Sequence, residues 1–240
     1  MVQPYLNDEG VEVPGVTTIL KEINQERLNT WKVEQALRLV VNIATKRGAI
    51  PETIRQVKAE QENNAKLGSW LHQVAAAKLT GRDEIPNIEG QISTCQILEG
   101  NLNSYLKDIG DIQVLEVEKQ VFGTIRSPFQ GKVIEYAGTF DALIQHLDNT
   151  ILLDFKTSRR IYPEHIAQLC GYAKAWNETQ HPKIDTLQVV QIYKWQVSEG
   201  ELPYRIYRPD TQAMALAWLQ FQQAAHLWYI RSGRWGVIVE

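Results

Sequence analysis

The chain has 240 residues, 44% of them hydrophobic and 22% charged, values ordinary for a soluble globular protein of one sizeable domain or at most two small ones. Its formal net charge of −3 argues against a passive nucleic-acid coat that binds by bulk charge, but not against a site whose carboxylates hold cations. The two cysteines, Cys95 and Cys170, are far apart in sequence, which excludes a thiolate zinc site or an iron–sulfur cluster built from this chain alone.

The opening residues MVQPYLNDEG hold no basic stretch followed by an apolar run. The most apolar segments, ALRLVVNIA and HLWYI, are too short to span a bilayer. A cytoplasmic protein with no membrane partner is expected.

In chain order, VTTILKEI after Pro14 and Gly15 predicts a helix capped by Thr17 or Thr18. From about Leu28 to Arg47, Trp31, Val33, Ala36, Leu37, Val40, Val41 and Ala44 recur at helical spacing, with Gly48 as the stop. Pro51 opens another helix, with Glu52 in its first turn, that runs to about Leu79. A further helix covers Ile88 to Lys107.

The period then changes. In VLEVEKQVF, Val117, Lys119 and Val121 share one parity and Glu116, Glu118 and Gln120 the other, as in a strand. Gly138–Leu147 and Thr150–Thr157 are strand-like, and HLDNT between them is a natural hairpin turn. Gly123–Gly131, with Gly, Ser and Pro between two strands, is expected to be a mobile flap. Pro163–Glu178 reads as a helix, and Leu187–Trp195 and Tyr204–Tyr207 as strands joined by SEGELP. Asp210 or Thr211 caps a last helix to about Arg231. A three-strand meander, a crossover helix and another strand predict an α/β fold with a mixed central sheet flanked by helices. One domain over 1–240 is expected, mainly helical in 1–110, with the mixed-sheet core in 111–210 and a C-terminal helix in 211–240.

Two acids stand out. Asp141 in AGTFDALI and Asp154 in ILLDFKTS sit in apolar strands, where an unpaired carboxylate is costly to bury. The hairpin sets the strands side by side, so both carboxylates can converge at one end of the sheet. Two close carboxylates need a cation between them, and hard oxygen ligands without cysteine suit Mg²⁺ or Mn²⁺. Lys156, two residues after Asp154, points to the same face, with the Phe155 side chain opposite and its carbonyl a further candidate ligand. An ammonium there can neutralise phosphate charge and orient or deprotonate an attacking water, the chemistry that phosphodiester hydrolysis requires.

Other residues fit around this core. Gln168 and Tyr172 share a helical face and can donate to phosphate or orient Lys156. His72 in GSWLHQV is a candidate metal ligand. Arg159, Arg160 and Tyr162 follow the lysine and can grip a nucleic-acid backbone and stack a base. Trp70 beside His72 reads as core packing. Between residues 119 and 174 seven cations (Lys119, Arg126, Lys132, Lys156, Arg159, Arg160 and Lys174) face five acids (Glu135, Asp141, Asp148, Asp154 and Glu164), a mild positive excess around the site. The plain alternatives are satisfied acids at strand ends, a lysine that only forms an ion pair, an ordinary helix histidine, a solvated Glu118 and a solvated arginine loop.

GTFD, a short turn, ILLDFKTS and the Gln168/Tyr172 pair together resemble the PD-(D/E)XK nuclease superfamily, and within it the RecB-type and mitochondrial-maintenance-type exonucleases. VPGVTTIL, GSWLH and VEKQVF add to the resemblance, which spans roughly Val13 to Lys194. It implies a restriction-endonuclease-like core, with Asp141, Asp154 and Lys156 as the motif acids and lysine. It also implies His72 and Glu118 as metal-site residues, Gln168 and Tyr172 as a QxxxY helix, one or two Mg²⁺ or Mn²⁺ ions, and hydrolysis of DNA to 5′-phosphate products. The expected substrate is DNA, at ends or as single strands, in repair or recombination. The chain departs from the iron–sulfur members, which need four cysteines. It also holds no phosphate-loop motif, so any helicase or recombination partner would be a separate protein. The rival readings are a structure-specific or mobile-element endonuclease on the same fold and a non-catalytic nucleic-acid-binding module.

Overall fold

From residue 113 onward, runs of Val, Ile, Leu and aromatic residues alternate with polar turns, and these runs build one five-stranded sheet. The computed structural model describes residues 4–23, 49–83, 85–127 and 132–234. Strands β3 (Gln113–Arg126) and β4 (Val133–His146) form a long antiparallel hairpin. A two-residue turn at Leu147 and Asp148, with Leu147 at φ +53°, leads into β5 (Asn149–Lys156), antiparallel to β4. Helix α4 (Pro163–Thr179) crosses over to β6 (Thr186–Ile192), which is parallel to β5, and β7 (Tyr204–Tyr207) closes the far edge antiparallel. The strand order β3-β4-β5-β6-β7 is a mixed sheet, as the chain order predicted.

Each sheet face buries an apolar layer. On one face α4 and α5 (Thr211–Arg231) contribute Leu169, Tyr172, Trp176 and Phe221, which pack on Phe140, Leu143, Leu152 and Val189. Residues 16–23 form a helix, α1, whose Val16, Ile19 and Leu20 join this layer. On the other face α2 (Ala49–Thr80) and α3 (Ile92–Ile109) bring Leu67, Leu71, Leu98 and Leu102 onto Ile144, Leu153, Phe155 and Val190. Asp210 caps α5 by accepting from the Ala213 amide at 2.7 Å. Burying both faces of β5 removes its side chains from water almost entirely, which is why Asp154 is only 1% exposed.

Several local expectations change. Gly123 to Arg126 are not flap but strand, paired in register with Tyr136 to Val133, because the alternating pattern of VFGTIR continues the ladder past the glycine. Gly123 is required there for packing: a Cβ would lie 2.5 Å from the Tyr136 ring. The rest of that segment, and the helix expected over 28–47, lie largely or wholly outside the described residues. A two-stranded hairpin, β1 (Tyr5–Leu6) with β2 (Glu12–Val13), was not expected; it docks on β4 through the Tyr5 hydroxyl and Thr139. Cys95 and Cys170 are both free and buried. Among the described residues no helix is long and apolar enough to cross a membrane.

Candidate active site

The β4–β5 ladder pairs Ala142 with Leu153, so the next step along it sets Asp141, midway along β4, across from Asp154 near the end of β5. Asp154 carries Lys156 on its own face, while Phe155 turns into the opposite layer and meets Tyr105 edge-on at 6.0 Å. The structure therefore brings together the three groups that the sequence singled out.

Their contacts define distinct environments. Asp141 Oδ1 lies 2.7 Å from His72 Nδ1, and Asp141 Oδ2 accepts from the Phe155 amide at 2.7 Å. Burial works to raise this carboxyl, but His72, Lys156 and the Phe155 amide outweigh it and hold Asp141 below the ordinary carboxylate range. His72 moves the opposite way: burial alone would lower it, and the Asp141 carboxylate lifts it above the ordinary histidine value. Asp154 Oδ1 accepts from Lys156 Nζ at 2.7 Å, and its Oδ2 is buried without a partner. Burial first, and then the neighbouring Asp141 charge, push Asp154 up to about 6 against the pull of Lys156.

Glu118 completes the cluster from β3. Val117 pairs with Ala142 and Lys119 with Phe140, so Glu118 falls across from Asp141. It sits at φ +49°, an uncommon conformation for a residue with a side chain and a form of local strain that often marks functional sites. Ligand atoms of His72, Glu118 and Asp141 all lie within 4.8 Å of one another. Desolvation, then Asp141, raise the Glu118 carboxyl, with His72 and Arg82 pulling it down.

One imidazole nitrogen and two carboxylates in a cluster, with a buried unpartnered carboxylate oxygen beside them on Asp154, form a group of donors that could hold a metal ion. A cleft of about 640 Å³ leads to it, lined by Gly68, Ser69, His72, Arg82 and Glu118 among others. A second cleft of about 520 Å³, between β3 and the end of α4, shares none of these groups.

Tyr172 and Gln168 lie on the α4 side. Gln168 Nε2 donates to the Tyr172 hydroxyl at 2.9 Å, and burial raises that phenol well above its ordinary range. The ring rests on Gly138, where a Cβ would come within 2.3 Å of Tyr172 Cε1. The glycine of GTFD thus lets the tyrosine reach the acids, whose charges it feels. Arg159 and Arg160 are exposed after β5. Tyr162 caps α4 and sets its ring edge-on to His165 at 5.4 Å, so its aromatic surface is partly used inside the protein. Trp70 is core, its indole N–H donating to the Pro86 carbonyl at 2.9 Å.

Sequence reading named His72 but not the helix face it belongs to. Asn64, Gly68 and His72 stand at i, i+4 and i+8 on α2 and meet β4 and the ends of the next two strands: His72 on Asp141, Gly68 near Thr157 just past β5, and Asn64 on Lys194 just past β6. The four-residue spacing was the available signal. Arg82, near Glu118 in the cleft, had none.

The chain matches no protein-family profile and no curated protein sequence. Among solved structures, a candidate exonuclease from Eubacterium rectale aligns over 70% of this chain and 68% of its own, at 8% identity and a TM-score of 0.46. The alkaline exonuclease LHK-Exo from Laribacter hongkongensis aligns over 69% of this chain and 84% of its own, at 16% identity and a TM-score of 0.35. Its complex with dAMP aligns over 84% of this chain and 96% of its own, at 16% identity and a TM-score of 0.32.

Proposed function

We propose that this chain is a single-domain, metal-dependent nuclease of the PD-(D/E)XK type that hydrolyses DNA phosphodiester bonds as a RecB-like exonuclease. Its work on DNA ends or single strands would serve repair or recombination. The observation that carries the reading is the meeting of Asp141, Asp154 and Lys156 where β5 ends against the middle of β4, with His72 and Glu118 closing the cluster.

Asp141, His72, Glu118 and Asp154 are the residues that would hold Mg²⁺ or Mn²⁺, with the Phe155 carbonyl as a further candidate. The chemistry supplied by such a cation when bound is Lewis-acid activation of a water and neutralisation of charge at the phosphate. The chain's own groups do the rest. The Phe155 amide orients the Asp141 carboxylate, and the hydrogen bond between Asp141 and His72 would give up its proton when both take a cation. Lys156, anchored on Asp154 with its side chain 15% exposed, presents an ammonium beside the two acids, where it stabilises charge that develops on the phosphoryl oxygens. Gln168 leaves the Tyr172 hydroxyl proton free to donate toward the acids. Arg159, Arg160 and Tyr162 lie downstream, where a nucleic-acid backbone would leave the site.

The test is cleavage of end-labelled single- and double-stranded DNA with Mg²⁺, with Mn²⁺ and with EDTA. Turnover that needs a cation and vanishes in Asp154→Ala is expected. Turnover that survives EDTA or that substitution would overturn the assignment.

A further inference from the structure

Beyond the last residue of β6 lies an aromatic pair that neither core layer includes. Tyr193 and Trp195 stack with ring centroids 4.7 Å apart and an interplanar angle of 8°, and Trp195 is 41% exposed. The backbone that carries the pair is fixed. Asn101 donates to the Tyr193 carbonyl at 2.8 Å and the Trp195 carbonyl at 3.3 Å, and the Tyr193 amide donates to the Pro203 carbonyl at 3.2 Å. The chain thus spends three hydrogen bonds on presenting a flat aromatic surface to solvent.

Cations accompany the pair. Lys194, between the two rings in sequence, is anchored by Asn64 on α2, and its ammonium lies close enough to Arg159 and Glu60 to feel both charges. The location is also informative. Strands β5 and β6 are parallel, so their C-terminal ends lie side by side, and Lys156 pairs with Gln191. Gln191 Nε2 ties the two ends together by donating to the Ser158 carbonyl at 2.6 Å. Tyr193 is two residues past Gln191, which sets the stack on the order of 10 Å from Lys156 at the same end of the sheet. Such an edge, outside the carboxyl ends of parallel strands, is where open α/β sheets take ligands. The α2 face that puts His72 on Asp141 also puts Asn64 on Lys194, so one helix borders both places.

We infer that the Tyr193–Trp195 stack, with Lys194 and Arg159 beside it, seats an unpaired nucleic-acid base and draws the substrate to the acid cluster as a single strand. The inference rests on the nucleic-acid reading above and adds the substrate class. An aromatic face accepts any base, because every base has a π-face, whereas a base inside a duplex is already stacked on its neighbours and must first be pulled out. Lys194, next to both rings in the chain, and Arg159, near that lysine, supply charge for the adjoining phosphates.

The test is equilibrium binding of a fluorescent single-stranded 12-mer and a blunt duplex to the full chain in EDTA, where no turnover occurs. Trp195→Ala is expected to weaken single-strand binding roughly 10-fold or more, with Trp195→Phe retaining most of it and duplex binding unchanged. With Mn²⁺ present, Trp195→Ala should raise KM for the single strand and leave kcat near wild type. Equal single-strand binding by wild type and Trp195→Ala, or an equal loss on duplex, overturns the seat, as does a wild type that binds no single strand. Wild type that binds through Trp195 but never cleaves would sink the nuclease reading and keep the seat; cleavage indifferent to Trp195 would do the reverse.

Discussion

In the metal-free protein Asp154 should cost stability, and replacing it should stabilise the fold. Its carboxyl is 1% exposed, keeps one oxygen without a partner and is pushed from the ordinary 3.8 up to about 6, by burial first and then by Asp141. A raised carboxyl is protonated more readily folded than unfolded, so the folded state binds the extra proton between these two values. Stability therefore falls as pH rises from about 4 to about 6 and stays level above that. The full displacement is worth about 3 kcal/mol at neutral pH and nothing below pH 4. For a chain of this length that is a rise in Tm of roughly 6–12 °C for Asp154→Asn in EDTA at pH 8, as an upper bound, shrinking to zero near pH 4. His72 also weakens the fold as pH rises, since its raised pKa gives stability that is fully present below about 6.5 and lost through its folded value. Asp154 is the smallest of the causes that raise His72, behind Asp141, so most of that contribution is common to both proteins and their difference reports Asp154 with its small share of the histidine shift. Calorimetry across pH in EDTA measures it. Mn²⁺ should then raise the wild-type Tm and leave Asp154→Asn much less affected. An Asp154→Asn protein no more stable than wild type at pH 8 in EDTA would refute the reasoning.

Three further outcomes are expected. Lys156→Met should abolish turnover and cost about 3 kcal/mol in urea denaturation by leaving Asp154 unpaired, and the same substitution made in an Asp154→Asn background should cost much less; an equal cost in both backgrounds would contradict a coupled pair. Gly138→Ala should destabilise by about 1–3 kcal/mol or more, because its Cβ meets Tyr172 at 2.3 Å and Val16 at 3.2 Å, both of them buried; an unchanged Tm would mean that the tyrosine does not rest there. Glu118→Gly should relieve the φ of +49° and raise stability by about 1 kcal/mol, while calorimetric titration shows Mn²⁺ bound at least 10-fold more weakly; unchanged cation affinity would remove Glu118 from the site.

The acid cluster explains why a site of this kind resists a simple local description. Asp141 and Asp154 have the same chemistry and opposite shifts, one held down by an imidazole, an ammonium and an amide, the other pushed up by burial that its lysine does not offset. The difference arises from which partners each finds across the sheet, not from either residue's neighbours in sequence.

What the sequence determined by itself is whatever depends on near neighbours. Alternation in VLEVEKQVF and the apolar runs after it specified most of each sheet strand, the flanking cap and turn residues bounded α4 and α5, and the step from Asp154 to Lys156 put acid and ammonium on one face with Phe155 on the other. Tertiary structure alone decided what depends on strands that meet from afar. Glu118 faces Asp141 only because the β3–β4 register sets them across, and His72 reaches Asp141 only because α2 lies over the sheet's end. Gly123 looked like loop punctuation and proved to be strand, since what excludes a side chain there is the Tyr136 ring packed above it. Tyr193 and Trp195 read as the end of a strand, Leu187–Trp195, but the ladder stops at Ile192, and the two became a presented surface only when Asn101, ninety-two residues from Tyr193, fastened their backbone to α3.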